Sequence, residues 1–167
     1  RVRRDTMSAS GLVRAIARAG RIAEPAPPAS APLAGAEIFG GSVGVRLINA
    51  GGCSDCALEV MSALGPVYDV ERYGIRLVAS PRHADVLLIV GAVTQNLLEP
   101  LRRTIEATPT PRIVIAVGDC AINGGPVAHG YGVYGPVSSV VDVDLNVPGS
   151  PPEPAQIVEA LRRVSGR

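Results

Sequence analysis

Three cysteines are the residues of this chain best suited to chemistry. Cys53 and Cys56 form a CxxC pair in NAGGCSDCALEV (49–60), and Cys120 ends the stretch AVGDC. Such an odd, sparse set of thiols suits metal binding or redox chemistry in a reducing compartment better than a disulfide framework. Thiolates are the ligands of iron–sulfur clusters and of many zinc sites. The first question is therefore whether the fold brings these three side chains together.

The elements that must position the thiols alternate between short apolar strands and helical patterns. We predict strands at 43–50, 75–80, 85–91, 112–118 and 142–147, and helices at 54–65, 96–107 and 153–164. The strands at 85–91 and 112–118 are too continuously apolar to face water on either side, which is typical of a parallel sheet covered by helices. This order predicts an α/β domain at 36–167 with a flavodoxin-like, doubly wound, mainly parallel sheet.

The cysteines follow the first and fourth predicted strands. In doubly wound sheets ligands bind beyond the carboxyl ends of the strands, because loops from neighbouring strands converge there. Gly52 precedes Cys53, and Gly118 lies just before Cys120, so the backbone can turn tightly and approach a bulky inorganic group. We therefore expect Cys53, Cys56 and Cys120 to meet at one sheet edge and to bind an iron–sulfur cluster.

Other uses of these thiols stay open at this point. A lone CxxC pair at a helix start is also typical of a thioredoxin-like redox pair, because the helix dipole lowers a thiol pKa. A zinc site would need four donors, for which His83 and His129 are candidates. Buried cysteines can also act simply as small hydrophobic residues.

Residues 1–35 form a separate arm in this interpretation. They contain six arginines against Asp5 and Glu24, and they end in the Pro/Ala linker EPAPPASAPLAG (24–35). Within the arm, apolar side chains fall on one side of a predicted helix and arginines on the other: Leu12, Val13, Ile16, Ala19 and Ile22 against Arg14, Arg18 and Arg21. Such a helix could contact a membrane subunit or an anionic lipid surface, or it could be a solvated terminus.

Composition excludes several other functions. No apolar stretch approaches the roughly 20 residues that span a bilayer, and the basic start lacks the apolar region of a secretory signal. A cytoplasmic protein linked to a membrane through partners is the expectation. The net charge is +1, with no lysine, no tryptophan and one phenylalanine, so we expect no nucleic-acid partner. The glycine-rich stretch GGPVAHGYGVYG (124–135) lacks the lysine of a phosphate-binding loop.

Several motifs in the same order resemble one family. They are NAGGCSDCALEVMSALGPVYDVERYGI, ASPRHADVLLIVGAVTQN, RIVIAVGDCAINGGPV, YGVYGPV and VDLNVPGSPPEP. Together, from about residue 43 to 165, they resemble the small subunit of membrane-bound, energy-converting [NiFe] hydrogenases, including the formate hydrogenlyase type. They also resemble the homologous 20 kDa subunit of respiratory complex I. The CxxC spacing favours the hydrogenase branch, because the complex I subunit typically has adjacent cysteines there.

The resemblance implies one [4Fe-4S] cluster, which is nearest to the active site in the hydrogenases and beside quinone in complex I. Cys53, Cys56 and Cys120 match the first three ligands of the family. Ser150 stands where the family has the fourth cysteine, in NVPGSPP instead of VPGCPP. A serine hydroxyl binds iron only when deprotonated, and it should lower the potential and stability of a cluster. Alternatively Asp119, Asp55 or His129 substitutes for it, a three-iron cluster forms, or the site is empty.

The resemblance also implies a function and partners. We expect an electron-transfer subunit of a membrane-associated, multi-subunit oxidoreductase, peripheral on the cytoplasmic face and not a complete enzyme alone. The expected partners are a large catalytic subunit, like that of [NiFe] hydrogenase or the complex I 49 kDa subunit, a ferredoxin-like iron–sulfur subunit and integral membrane subunits. The alternatives are a structural subunit whose cluster is lost or incomplete, and a complex I-like quinone reductase subunit.

Overall fold

The computed structural model describes residues 9–19 and 31–167. Helix α1 spans Ala9–Ala19, so the predicted helix of the arm is present. The remaining parts of that prediction, including Arg21, Ile22 and the linker up to residue 30, lie outside the described residues.

A five-stranded parallel sheet forms the centre of the domain, with a small two-stranded sheet beside it. The strands are β1 (Val43–Asn49), β2 (Ile75–Leu77), β3 (Val86–Val90), β4 (Val93–Thr94), β5 (Ile113–Val117), β6 (Val133–Gly135) and β7 (Leu145–Val147). The parallel sheet has the order β2-β1-β3-β5-β7, and β4 pairs antiparallel with β6. When only the five parallel strands are numbered along the chain, their order in the sheet is that of flavodoxin. The predicted fold class is therefore confirmed.

Helices cover both faces of the parallel sheet. They are α2 (Asp55–Ala63), α3 (Gln95–Ala107), α4 (Asp119–Asn123) and α5 (Pro154–Ser165). One face packs on α2 and α5, through Val60 and Ile157 among others, and the opposite face packs on α3 through Leu101 and Ile105. Every residue of β3 and β5 is buried, as their continuous apolar sequences predict.

Two strands are three residues shorter than their sequences predict, whereas the other three predicted strands differ by one or two residues. Strand β2 ends at Leu77, where its pairing with β1 stops at Val45. Before β7, Asp144 N still donates to Val114 O at 2.9 Å, but Val114 N donates to the Asp144 carboxylate at 2.7 Å, so a side chain takes one of the two hydrogen bonds there. Strands β4 and β6 and helix α4 are short elements that we did not predict, because two to five residues give no measurable periodicity.

The end of the predicted linker packs on the last helix. Leu33 N donates a hydrogen bond to Arg163 O at 2.9 Å, and Arg163 Nε donates to Ala31 O at 3.3 Å. In the part of the chain that is described, no helix has the length and apolar character needed to cross a membrane.

Candidate metal centre

The loop with the CxxC pair lies where the strand order reverses, at the carboxyl ends of β1 and β3. Gly52 and Gly91 bring the two loops into backbone contact, since a Cβ on Gly52 would lie 2.6 Å from Gly91 Cα. Any larger residue at position 52 would push the loop with Cys53 away from β3. Cys53 is exposed at the end of this loop, and α2 begins two residues later. Ligands of doubly wound folds bind at this kind of switch point.

Glycines also leave room for the other two thiols. Cys56 is buried in the first turn of α2, with 5% of its surface exposed, and a Cβ on Gly118 would lie 2.5 Å from its Sγ atom. Gly118 has φ +88°, a conformation that favours glycine. A Cβ on Gly125 would lie 2.7 Å from Cys120 Sγ. The space around the sulfur atoms of Cys56 and Cys120 therefore depends on glycine at positions 118 and 125.

The loop with Ser150 is joined to the loop with Cys120 by two hydrogen bonds. Asp119 N donates to Gly149 O at 2.8 Å, and Gly149 N donates to Asp119 Oδ1 at 2.9 Å. We call this pair of bonds the Asp119–Gly149 clasp. The same Cβ built on Gly118, which would lie 2.5 Å from Cys56 Sγ, would also lie 3.4 Å from Gly149 O. Ser150, which is exposed, therefore lies at the same sheet edge as the cysteines.

Burial and neighbouring negative charge raise the pKa values of two of the three thiols. Burial is the main cause that raises the pKa of Cys56 to about 11, and negative charge on Cys53, Cys120 and then Asp55 adds to the rise. The pKa of Cys120 is also raised, first by burial and then by Cys53 and Asp119. Negative charge on a neighbouring thiol therefore disfavours ionisation of Cys56 and Cys120, and a bound cation would offset this repulsion.

The geometry disfavours the zinc alternative. Across residues 9–19 and 31–167, no three His, Cys, Asp or Glu side chains, the three cysteines included, are grouped so that they could hold one metal ion. His83 precedes β3 and lies at the amino end of the sheet, opposite to the cysteines. His129 is exposed in the loop before β6. A zinc ion needs all its donors about 2.0–2.3 Å from one point, whereas each thiolate of an iron–sulfur cluster binds a different iron.

Asp119 has a position that the sequence did not reveal. We considered it only as a substitute ligand, but its Oδ1 atom accepts the Gly149 N–H, 30 residues along the chain. The available signal was an acidic residue directly after a predicted strand and its glycine, which is a common place for a side chain that binds backbone amides.

The fold and these thiols define a class: a flavodoxin-like α/β protein with a candidate metal centre at the carboxyl edge of its sheet. Comparison with known families then makes the assignment specific. The family model of the NADH ubiquinone oxidoreductase 20 kDa subunit matches residues 53–164. The chain belongs to this family of oxidoreductase subunits, which confirms the resemblance seen in the sequence.

Similar proteins come from both bacteria and archaea. The chain is 42% identical over 125 residues to the probable membrane-bound hydrogenase subunit mbhJ of Pyrococcus furiosus, covering 75% of each chain. It is 43% identical to formate hydrogenlyase subunit 7 of Escherichia coli over 66% of this chain and 44% of that protein. Among solved structures, a chain of the archaeal membrane-bound sulfane sulfur reductase superposes with a TM-score of 0.68 at 29% identity, covering 78% of this chain and 72% of the other.

Proposed function

We propose that this chain is the electron-transfer subunit of a membrane-associated oxidoreductase complex and that it binds one [4Fe-4S] cluster at the carboxyl edge of its sheet. The observation that supports this most strongly is the convergence of thiols from two segments 64 residues apart, each in a space kept open by glycine. When bound, such a cluster supplies one-electron transfer. The chain itself holds the cluster, excludes bulk solvent beside Cys56 and presents the site to a partner.

The proposed ligands are Cys53, Cys56, Cys120 and Ser150. The clasp supports Ser150 over its alternatives, because it ties the backbone next to Ser150 to the residue before Cys120. Asp119 already accepts a hydrogen bond within the clasp, and Asp55 and His129 are exposed. An alkoxide is a harder donor than a thiolate, so the fourth iron would differ electronically from the other three.

We further propose that the complex is of the hydrogenase type and that this subunit lies on the cytoplasmic face of the membrane. Both relatives described above are named as parts of hydrogen-metabolising complexes, and one is called membrane-bound. The CxxC spacing also favours that branch over complex I. The partners would be a large catalytic subunit, a ferredoxin-like subunit and integral membrane subunits. A pair of CxxC motifs in the large subunit would indicate nickel, and their absence would indicate a quinone-reducing module.

Iron and acid-labile sulfide assays on the anaerobically purified complex test the proposed function. We expect about four iron and four sulfide per copy of this chain, as a [4Fe-4S] cluster requires. A ratio near three iron would indicate the three-iron alternative. Values near zero would contradict the proposal and support a structural subunit that joins a catalytic subunit to membrane subunits.

Replacing Ser150 by cysteine tests the fourth ligand. We expect Ser150→Cys to keep the iron content, to raise the reduction potential of the cluster and to change its electron paramagnetic resonance spectrum, because a thiolate replaces a harder oxygen donor. Ser138→Cys is the matched control, since Ser138 is also exposed but lies in the short 3-10 helix Val137–Ser139. A spectrum and potential identical to those of the parent complex would show that Ser150 is not a ligand.

A further inference from the structure

Helix α1 has an exposed apolar face and an exposed cationic face. Val13 is 67% exposed and Ile16 is 47% exposed, and Arg14 and Arg18 are exposed as well. At about 100° per residue, the two apolar side chains lie within about 60° of each other. The two arginines, four residues apart, lie on a face roughly 150° away. This helix therefore exposes apolar surface that folding normally buries.

Charge is unevenly divided between the arm and the domain. Residues 1–35 contain six arginines and two acidic residues, which gives four net positive charges. The whole chain has a net charge of +1, so residues 36–167 carry three net negative charges. The arm thus has the charge that an anionic surface attracts, whereas the domain would be repelled by that surface.

The dimensions of α1 suit a helix that lies in a membrane surface. Its 11 described residues are about 16 Å long, roughly half of a bilayer core. An interfacial helix buries its apolar side chains at the boundary between headgroups and acyl chains, and its arginines extend to the phosphates. An anionic lipid surface satisfies both faces of α1, because it offers phosphates to the arginines and acyl chains to the apolar side chains.

We propose that α1 binds directly to anionic phospholipid, with Val13 and Ile16 inserted below the headgroups and Arg14 and Arg18 paired with phosphates. This goes beyond the proposed function, in which the chain meets the membrane only through its partners, and it does not depend on the cluster. A single short helix gives weak, reversible binding, so α1 would orient this subunit on the membrane while the integral subunits anchor the complex.

Vesicle flotation with the full chain, purified anaerobically, tests the proposal. The probes are vesicles of phosphatidylcholine alone and of phosphatidylcholine with about 30% phosphatidylglycerol. We expect binding only to the anionic vesicles, and weaker binding as salt rises, because salt screens the arginines. Arg14→Gln with Arg18→Gln should weaken the binding about 30-fold, since each arginine near an anionic surface contributes about fivefold in affinity. Val13→Ser with Ile16→Ser should weaken it at least tenfold.

The control pairs an exposed apolar residue with an exposed arginine of the domain. Val67→Ser with Arg102→Gln should leave flotation unchanged, because Val67 and Arg102 lie outside the arm. Absence of flotation with anionic vesicles, equal flotation with neutral ones, or loss of flotation in the control alone would overturn the proposal. If the α1 variants float normally but release a partner subunit from the complex, α1 is a protein contact and the lipid proposal is wrong. Iron content should not change in any of these variants, which separates this test from that of the cluster.

Discussion

Replacing Cys56 by alanine is expected to remove almost all iron and sulfide from this subunit and to reduce electron transfer through the complex to background. Cys56 is the most buried of the three thiols, and its Sγ atom occupies the space beside Gly118. Alanine removes one thiolate from a set in which each ligand binds a separate iron. The small cavity it leaves should cost the fold only about 1 kcal/mol. The loss of iron should therefore exceed any loss of folded protein.

Iron and sulfide assays, together with the thermal midpoint of unfolding, measure this effect. Ser54→Ala is the matched control, because Ser54 lies inside the same CxxC loop, is exposed and makes no side-chain hydrogen bond to the start of α2. It should retain the parent iron content. The iron content of Cys56→Ser should fall between those of Cys56→Ala and Ser54→Ala, since a hydroxyl is a weaker iron ligand than a thiolate. A Cys56→Ala complex that retains about four iron atoms would show that the cluster is held elsewhere.

Replacing Asp119 by alanine is expected to give the second largest effect, through the position of Ser150 and not through direct contact with iron. The Asp119 carboxylate accepts the Gly149 N–H at 2.9 Å, and alanine would leave that amide without its partner in the clasp. The loss of such a bond costs about 1–3 kcal/mol. The loop with Ser150 should become mobile, so the cluster should lose its fourth iron readily and show a three-iron signal in electron paramagnetic resonance.

Asp119→Asn separates the role of the clasp from the role of charge. Asparagine keeps an oxygen that can accept the Gly149 N–H, but it removes the negative charge that helps to raise the pKa of Cys120. We expect the asparagine variant to keep the parent spectrum and iron content. If both variants change the spectrum equally, the charge is responsible. If neither changes it, Asp119 does not position the ligand loop.

The positions of the principal elements could be predicted from the sequence because their patterns are local. The apolar runs VLLIV and IVIAV occupy β3 and β5, and the helical period after Cys56 corresponds to α2. The expectation that Cys53, Cys56 and Cys120 share one edge followed from strand order, since parallel strands end on the same side. The family assignment followed from five motifs in order, one of which has serine at position 150 instead of the family's cysteine.

Only the tertiary structure decided how the site is built around those cysteines. It places the exposed Cys53 and the buried Cys56 in different surroundings, sets the Cys56 sulfur atom beside Gly118, and joins Asp119 to Gly149. These features depend on contacts between residues 30 or more positions apart, and such contacts are set by strand register and loop closure. The periodicity of apolar residues in the sequence indicates which face of its own helix or strand a side chain occupies, because backbone geometry over a few residues fixes that face. The neighbour it meets across the sheet edge is fixed only when separate elements pack together.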